Sequence, residues 1–186
     1  YSLLHRCSSE TLLELSRDKK YLGATPGIIQ VLHTWGQTLN FHPHIHCIVS
    51  GGGLSVDQKL RKCGEKFFIP VHVMAKVFRG KFLFYLQKHY AFGKLVFSSS
   101  CAELRNSYSW NEFRDSLYKM DWCPYIKETF NGFGNAIEYL GRYTHRIAIT
   151  NTRIQSVTET QVSFSARDYK SGETKTVILE NKEFIR

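Results

Sequence analysis

Two short runs in the first third of the chain, GIIQVLHTW (residues 27–35) and HPHIHCIVS (residues 42–50), leave little freedom in what can form there. Both are rich in β-branched residues, so each reads as a strand. The link over residues 36–40 is short enough for a hairpin, which makes the two strands antiparallel neighbours. Gly51, Gly52 and Gly53 are expected to end the second strand. Side chains of a strand alternate between its faces, so His42, His44 and His46 point one way, with Ile45 and Cys47 towards the core. A hairpin alone is marginal in water and needs further elements to cover one face.

The remaining sequence supplies them. Leu3, Leu4, Leu12, Leu13 and Leu15 follow a helical pattern that ends near Gly23. Residues 67–71 suggest a short strand, and residues 73–90 the longest helix. Ser109, followed by Glu112, has the spacing of a capping box for a helix reaching Lys119. Residues 122–129 read as a strand despite Pro124, which places it at a sheet edge or at the strand start. Residues 131–135 form a Gly-rich loop and residues 135–143 a short helix. Strands are expected at 146–153, 161–169 and 173–179, the last two joined through Lys170, Ser171 and Gly172. With no internal repeat and no linker, the pattern is one α+β domain with an antiparallel sheet.

Composition excludes other classes. Apolar residues make up 42% and charged residues 22%, as in ordinary globular chains. No apolar run approaches the roughly 18 residues of a membrane-spanning helix, and no leader-like segment opens the chain. The five cysteines are scattered without a CxxC pair, which favours a reducing compartment over a disulfide framework or cysteine-built zinc site. The sequence starts at Tyr1 and enters helical periodicity at once, so it reads as a fragment of something longer.

Four of the eight histidines, His33, His42, His44 and His46, fall close together. Adjacent imidazoles on one strand face can share a divalent cation and leave positions open for substrate oxygens. If the 36–40 link closes a hairpin, His33 lies roughly opposite His44 and becomes a third ligand. The competing reading is a row of half-buried histidines with structural hydrogen bonds. Further on, Tyr139 and Tyr143 are spaced i, i+4, which brings two phenols to one helical face. Such phenols serve either as packing or, beside a cation, as nucleophiles towards phosphorus. Arg142 and Arg146 add positive charge there.

The net charge of +9 is uneven. From Lys59 to Lys94 the basic residues, Lys76, Arg79 and Lys81 among them, meet the single acid Glu65, and Phe67, Phe68, Phe78, Phe82, Phe84, Tyr85, Tyr90 and Phe92 interleave them. This suits a single-stranded nucleic acid, whose phosphates attract cations and whose bases stack on rings. It equally suits an amphipathic helix with aromatic residues inside and lysines outside.

The histidine and tyrosine motifs together resemble a known family. His44-Ile45-His46 is similar to the His-hydrophobic-His motif of HUH endonucleases, and Tyr139-x-x-x-Tyr143 to the paired tyrosines of their two-tyrosine branch. The longer strings VLHTWGQTLNFHPHIHCIVSGGGL and EYLGRYTHRIAITNTRI resemble rolling-circle insertion-sequence transposases, relatives of Helitrons and replication initiators. The resemblance implies an α+β fold with a central antiparallel sheet and flanking helices, RRM- or palm-like, lacking its first strand. Residues 1–186 would be a single HUH catalytic domain, without the N-terminal zinc module or the C-terminal remainder.

It also implies a chemistry: nicking and rejoining of single-stranded DNA, at transposon ends and target, through a 5′-phosphotyrosine link. Tyr139 and Tyr143 would be the nucleophiles. His44, His46 and a third group, His33 before Gln30 or His42, would hold Mg²⁺ or Mn²⁺. Arg142, Arg146, Lys76, Arg79 and Lys81 would contact DNA, in a bacterial cytoplasm and close to the nucleoid. Two other readings remain open: a zinc-type metallohydrolase built on His-x-His, with Asp57 the nearest acid, and a non-catalytic single-strand-binding module.

Overall fold

The computed structural model describes residues 1–64, 69–126, 141, 148–168 and 171–185. The expected strand over 67–71 lies partly outside them, and Ile69 and Pro70 lead directly into a helix. The Gly-rich loop at 131–135, nearly all of the helix at 135–143 and four proposed site residues, Tyr139, Arg142, Tyr143 and Arg146, lie outside the described residues.

The elements run α1 (Ser2–Arg17), β1 (Thr25–Trp35), β2 (Phe41–Leu54), β3 (Leu60–Lys62), α2 (Val71–Ala91), a 3-10 segment (Ser99–Arg105) and α3 (Ser107–Lys119). A 3-10 turn (Asn151–Arg153), β4 (Ile154–Val157), β5 (Gln161–Arg167), β6 (Thr174–Glu180) and α4 (Asn181–Ile185) follow. The described strands form two three-stranded sheets, ordered β1-β2-β3 and β4-β5-β6. The α+β class with antiparallel sheet structure is therefore borne out. No described helix is long and apolar enough to cross a membrane.

The chain divides into two compact units, Tyr1–Gln30 with Cys47–Glu128, and Val31–His46 with Thr129–Arg186. In the first, α1 buries Cys7, Thr11, Leu12, Leu15 and Ser16, positions that recur on one helical face. It packs on α2, where the Tyr85 hydroxyl donates to Glu10 at 2.8 Å and Arg6 lies 4.0 Å above the Tyr85 ring. Phe78 and Phe82 of α2 enclose Trp122, and Tyr90 stacks on Trp110 at 4.1 Å.

Three sequence expectations need correction in this unit. The glycines do not end β2, which continues through them to Leu54 and pairs with β3, Gly52 opposite Lys62 and Gly53 opposite Arg61. The reason is close approach: a Cβ on Gly52 would lie 2.7 Å from the Arg61 carbonyl oxygen, and one on Gly53 would strike the Thr25 carbonyl. The cap of α3 is Asn106, whose side chain accepts from the Tyr108 N–H at 2.8 Å, rather than Ser109. Residues 122–126 form no strand; the Trp122 indole instead donates to the Leu117 carbonyl at 2.9 Å and closes the end of α3.

In the second unit, β5 alternates exposed and buried residues and sends Val162, Phe164 and Ala166 inward. β6 pairs with β5 in continuous register from Gln161↔Glu180 to Arg167↔Thr174, and Phe184 of α4 covers Phe164. The hairpin expected between these strands is present, with Gly172 in the left-handed region at φ 74°. The strand expected over 146–153 is not seen in its described part, 148–153, where bends and a 3-10 turn precede β4. Arg153 explains the turn. Its guanidinium donates to the Ser165 carbonyl at 2.8 Å and to the Gln37 carbonyl, tying β5 to the 36–40 link.

Candidate metal centre

The 36–40 link reverses the chain with Gly36 N–H donating to the Asn40 carbonyl and Leu39 N–H to that of Gly36, both at 3.0 Å. The reversal sets His33 of β1 beside the histidines of β2. One nitrogen from each of His33, His44 and His46 lies within 4.8 Å of the others. His33 is closer to His46 than to His44, with ring centroids 4.6 and 5.6 Å apart. His33 is buried, and Trp35 stacks on it at 5.0 Å and 12°.

Cys47 is exposed and Ile45 only half-buried, so the expectation that they face the core is not met. On the histidine face His44 and His46 are likewise half-buried and His42 is exposed, while His33 of the facing strand is buried.

Two hydrogen bonds define what the imidazoles can do. Nδ1 of His44 donates to the His42 carbonyl at 2.7 Å, which leaves Nε2 with the lone pair. Nε2 of His44 lies 3.1 Å from Nε2 of His46. His46 therefore donates through Nε2. Burial holds His44 below the ordinary histidine range, against the His42 carbonyl, which favours its charged form. Burial also pushes His46 down to about 4, with repulsion from His33 and His44 adding to it. Neutral rings are the form that binds metal.

This has a consequence for stability. In the unfolded chain His46 takes up its proton near 6.5, whereas in the fold it resists until about 4. Between those values the unfolded state binds more protons, so stability falls as pH drops through that window. Urea unfolding in chelator should show a midpoint that declines from pH 7 to pH 4.5, with a shallower decline for His46→Leu.

The other described candidates have contacts of their own. The exposed His42 contributes its carbonyl, and its ring is 5.1 Å from that of His44. The Gln30 amide is engaged 3.4 Å from His5 Nδ1 and 3.6 Å from Cys47 Sγ. Among the DNA-contact candidates, Lys76 is exposed, Arg79 donates to the Tyr118 carbonyl at 2.9 Å, and Lys81 pairs with Glu14 at 2.6 Å. Two contributors escaped the sequence reading, Trp35 and the His42 carbonyl. Trp35 had a signal, since it stands two residues from His33 and thus on the same strand face.

The family model described as "Putative transposase" (Y2_Tnp) matches residues 27–186. A "Putative transposase y4qJ" from Sinorhizobium fredii is 40% identical over the whole chain, which covers 47% of that relative. The "Transposase for insertion sequence element IS801" from Pseudomonas savastanoi pv. phaseolicola is 26% identical over 83% of the chain and 36% of its own length. The chain thus spans half or less of these curated relatives. No solved structure gives a significant match.

Proposed function

The chain belongs to the transposase family whose model spans residues 27–186, and we propose that it nicks and rejoins single-stranded DNA through a phosphotyrosine link. The observation that carries this reading is the convergence of three imidazoles, His33, His44 and His46, whose nitrogens lie within 4.8 Å of one another. Both the histidines and the tyrosine pair fall inside the matched segment.

His33, His44 and His46 would hold a divalent cation, which draws charge from the nonbridging oxygens of a scissile phosphate. All three donors are nitrogen, a set that suits Mn²⁺ better than Mg²⁺, whose preferred ligands are oxygens. Tyr139 or Tyr143 supplies the nucleophile. Its oxygen forms a bond to phosphorus as the P–O3′ bond breaks, and the 3′ oxygen gains a proton while the phenol loses one. One phosphodiester replaces another, so rejoining needs no nucleotide cofactor. The second tyrosine accepts the 5′ phosphate of another strand, and Arg142 and Arg146 offset charge. The substrates are transposon ends and target, in the bacterial cytoplasm.

A metallohydrolase would want a carboxylate at the cation. Among the described residues none joins the imidazoles. Asp57, the nearest acid after them, belongs to the β2–β3 turn, where it accepts from Ser55 Oγ at 2.5 Å and pairs with Lys59 at 3.5 Å.

Incubation of the chain with a single-stranded oligonucleotide and Mn²⁺ should yield an SDS-resistant protein–DNA adduct. Chelator should prevent it, and so should Tyr139→Phe combined with Tyr143→Phe. An adduct that survives both tyrosine changes would rule out the mechanism.

A further inference from the structure

We propose that the solvent face of the second half of α2, with the hollow just beyond it, is a grip for single-stranded DNA. The grip lies wholly in the first compact unit and is built from Phe84, Lys88, Phe92, Lys94 and Arg105. It rests on the reading that the chain acts on DNA, but it needs neither the histidines nor the tyrosines.

The structure sorts the basic, aromatic stretch into two sets. Phe78 and Phe82 pack on Trp122, Tyr90 stacks on Trp110, Lys81 is paired with Glu14, and Arg79 is tied to the Tyr118 carbonyl. These groups are occupied by the fold. Phe84 and Phe92 are instead largely open to solvent, 56% and 69% exposed, although Phe84 also meets Tyr85 edge-on at 5.3 Å. Each has a lysine ammonium beside its ring, Lys88 at 5.4 Å from Phe84 and Lys94 at 5.9 Å from Phe92. Neither lysine makes an ion pair among the described residues, and no acid occurs in the sequence between Glu65 and Glu103.

Phe84, Lys88 and Ala91 follow i, i+4, i+7 spacing and so share one stripe of the helix. Ala91 is also part of the wall of a hollow of about 580 Å³, which Tyr90, Val96, Phe97 and Arg105 help to line. Arg105 reaches the Phe97 carbonyl at 3.3 Å and makes no ion pair among the described residues. The stripe therefore runs from an exposed ring, past a cation, to an aromatic-walled recess with a guanidinium at its edge.

That alternation matches an unpaired strand. Successive bases stack on exposed rings, and the phosphates between them meet cations. A duplex keeps its base faces stacked on one another and cannot offer them to Phe84 or Phe92. The hollow can receive one turned-out base, with the Arg105 guanidinium at its edge to meet the phosphate.

The test is fluorescence anisotropy of a labelled oligodeoxythymidylate with the whole chain in chelator. Phe84→Ala with Phe92→Ala should weaken binding on the order of ten-fold or more, leaving the salt dependence unchanged. Lys88→Ala with Lys94→Ala and Arg105→Ala should flatten the plot of log affinity against log salt by about 0.7 for each phosphate no longer neutralised. Lys19→Ala with Lys20→Ala, on exposed lysines elsewhere in the unit, should do much less. Phe84→Trp gives an independent signal, since a stacked base should quench its fluorescence. Unchanged affinity and salt slope in the first two variants would overturn the proposal. So would equal losses for the control lysines or for a duplex of the same length, or an unquenched Trp at saturation. A wild-type chain that binds through the grip but forms no adduct would count against the proposed chemistry alone.

Discussion

His46→Ala is expected to abolish the metal-dependent adduct and to lower Mn²⁺ affinity by more than about 100-fold. Losing even a group that only orients a metal ligand costs about 10- to 100-fold in affinity, and His46 is placed to be a ligand itself. Its Nε2 lies 3.1 Å from that of His44, and its ring 4.6 Å from that of His33. Without it the two remaining imidazoles would have to hold the cation alone. His42→Ala is the informative contrast. The His42 ring is exposed, and what it gives the site is a backbone carbonyl, which alanine keeps. Affinity should therefore change by no more than a few-fold. Isothermal titration with Mn²⁺, alongside the adduct assay, separates the cases. A His42→Ala loss as large as that of His46→Ala would mean that His42 is a ligand.

The contrast between His42 and His46 also marks how far the sequence could be read. Strand alternation put His42, His44 and His46 on one face, and the hairpin link brought His33 across to them. Alternation does not say which face is enclosed. Here His33 of the facing strand is buried and stacked on Trp35, whereas His42 is exposed and His44, Ile45 and His46 are all half-buried. The same limit explains the glycines. Gly51, Gly52 and Gly53 look like a strand end because glycine punctuates turns, yet here their lack of a Cβ admits the Thr25 and Arg61 carbonyls on either side. Trp122 was misplaced for a related reason: its strand-like neighbours matter less than the indole's bond to Leu117 and its contacts with Phe78 and Phe82. Charge was legible only as a sum. Which lysines meet solvent depends on Glu14 of α1 reaching Lys81 of α2, a pairing across about 65 residues of sequence.

Trp110→Ala should be the most destabilising single change in the first unit, by about 3–5 kcal/mol. Trp110 is 2% exposed and is the largest of the fully buried side chains among the described residues. Tyr90 lies flat on it at 4.1 Å and 3°, and Phe97 and Phe113 approach its edge at 6.2 and 6.0 Å. Removing the indole opens a cavity among three rings that are held by their own backbones, so the site cannot collapse to fill it. It also strands Gln87, whose side-chain oxygen accepts from the indole N–H at 2.6 Å and keeps only a long contact to Arg114 at 3.5 Å. Trp110→Phe separates the two effects. It retains a ring against Tyr90 but gives up the hydrogen bond to the half-buried Gln87, and should cost about 1 kcal/mol, the net worth of one ordinary hydrogen bond. Urea unfolding followed by circular dichroism reads both. If Trp110→Ala and Trp110→Phe shift the midpoint equally, the hydrogen bond rather than the aromatic stack holds the end of α2 to α3. The expected order, Ala well beyond Phe, follows from a core in which ring area outweighs a single polar contact.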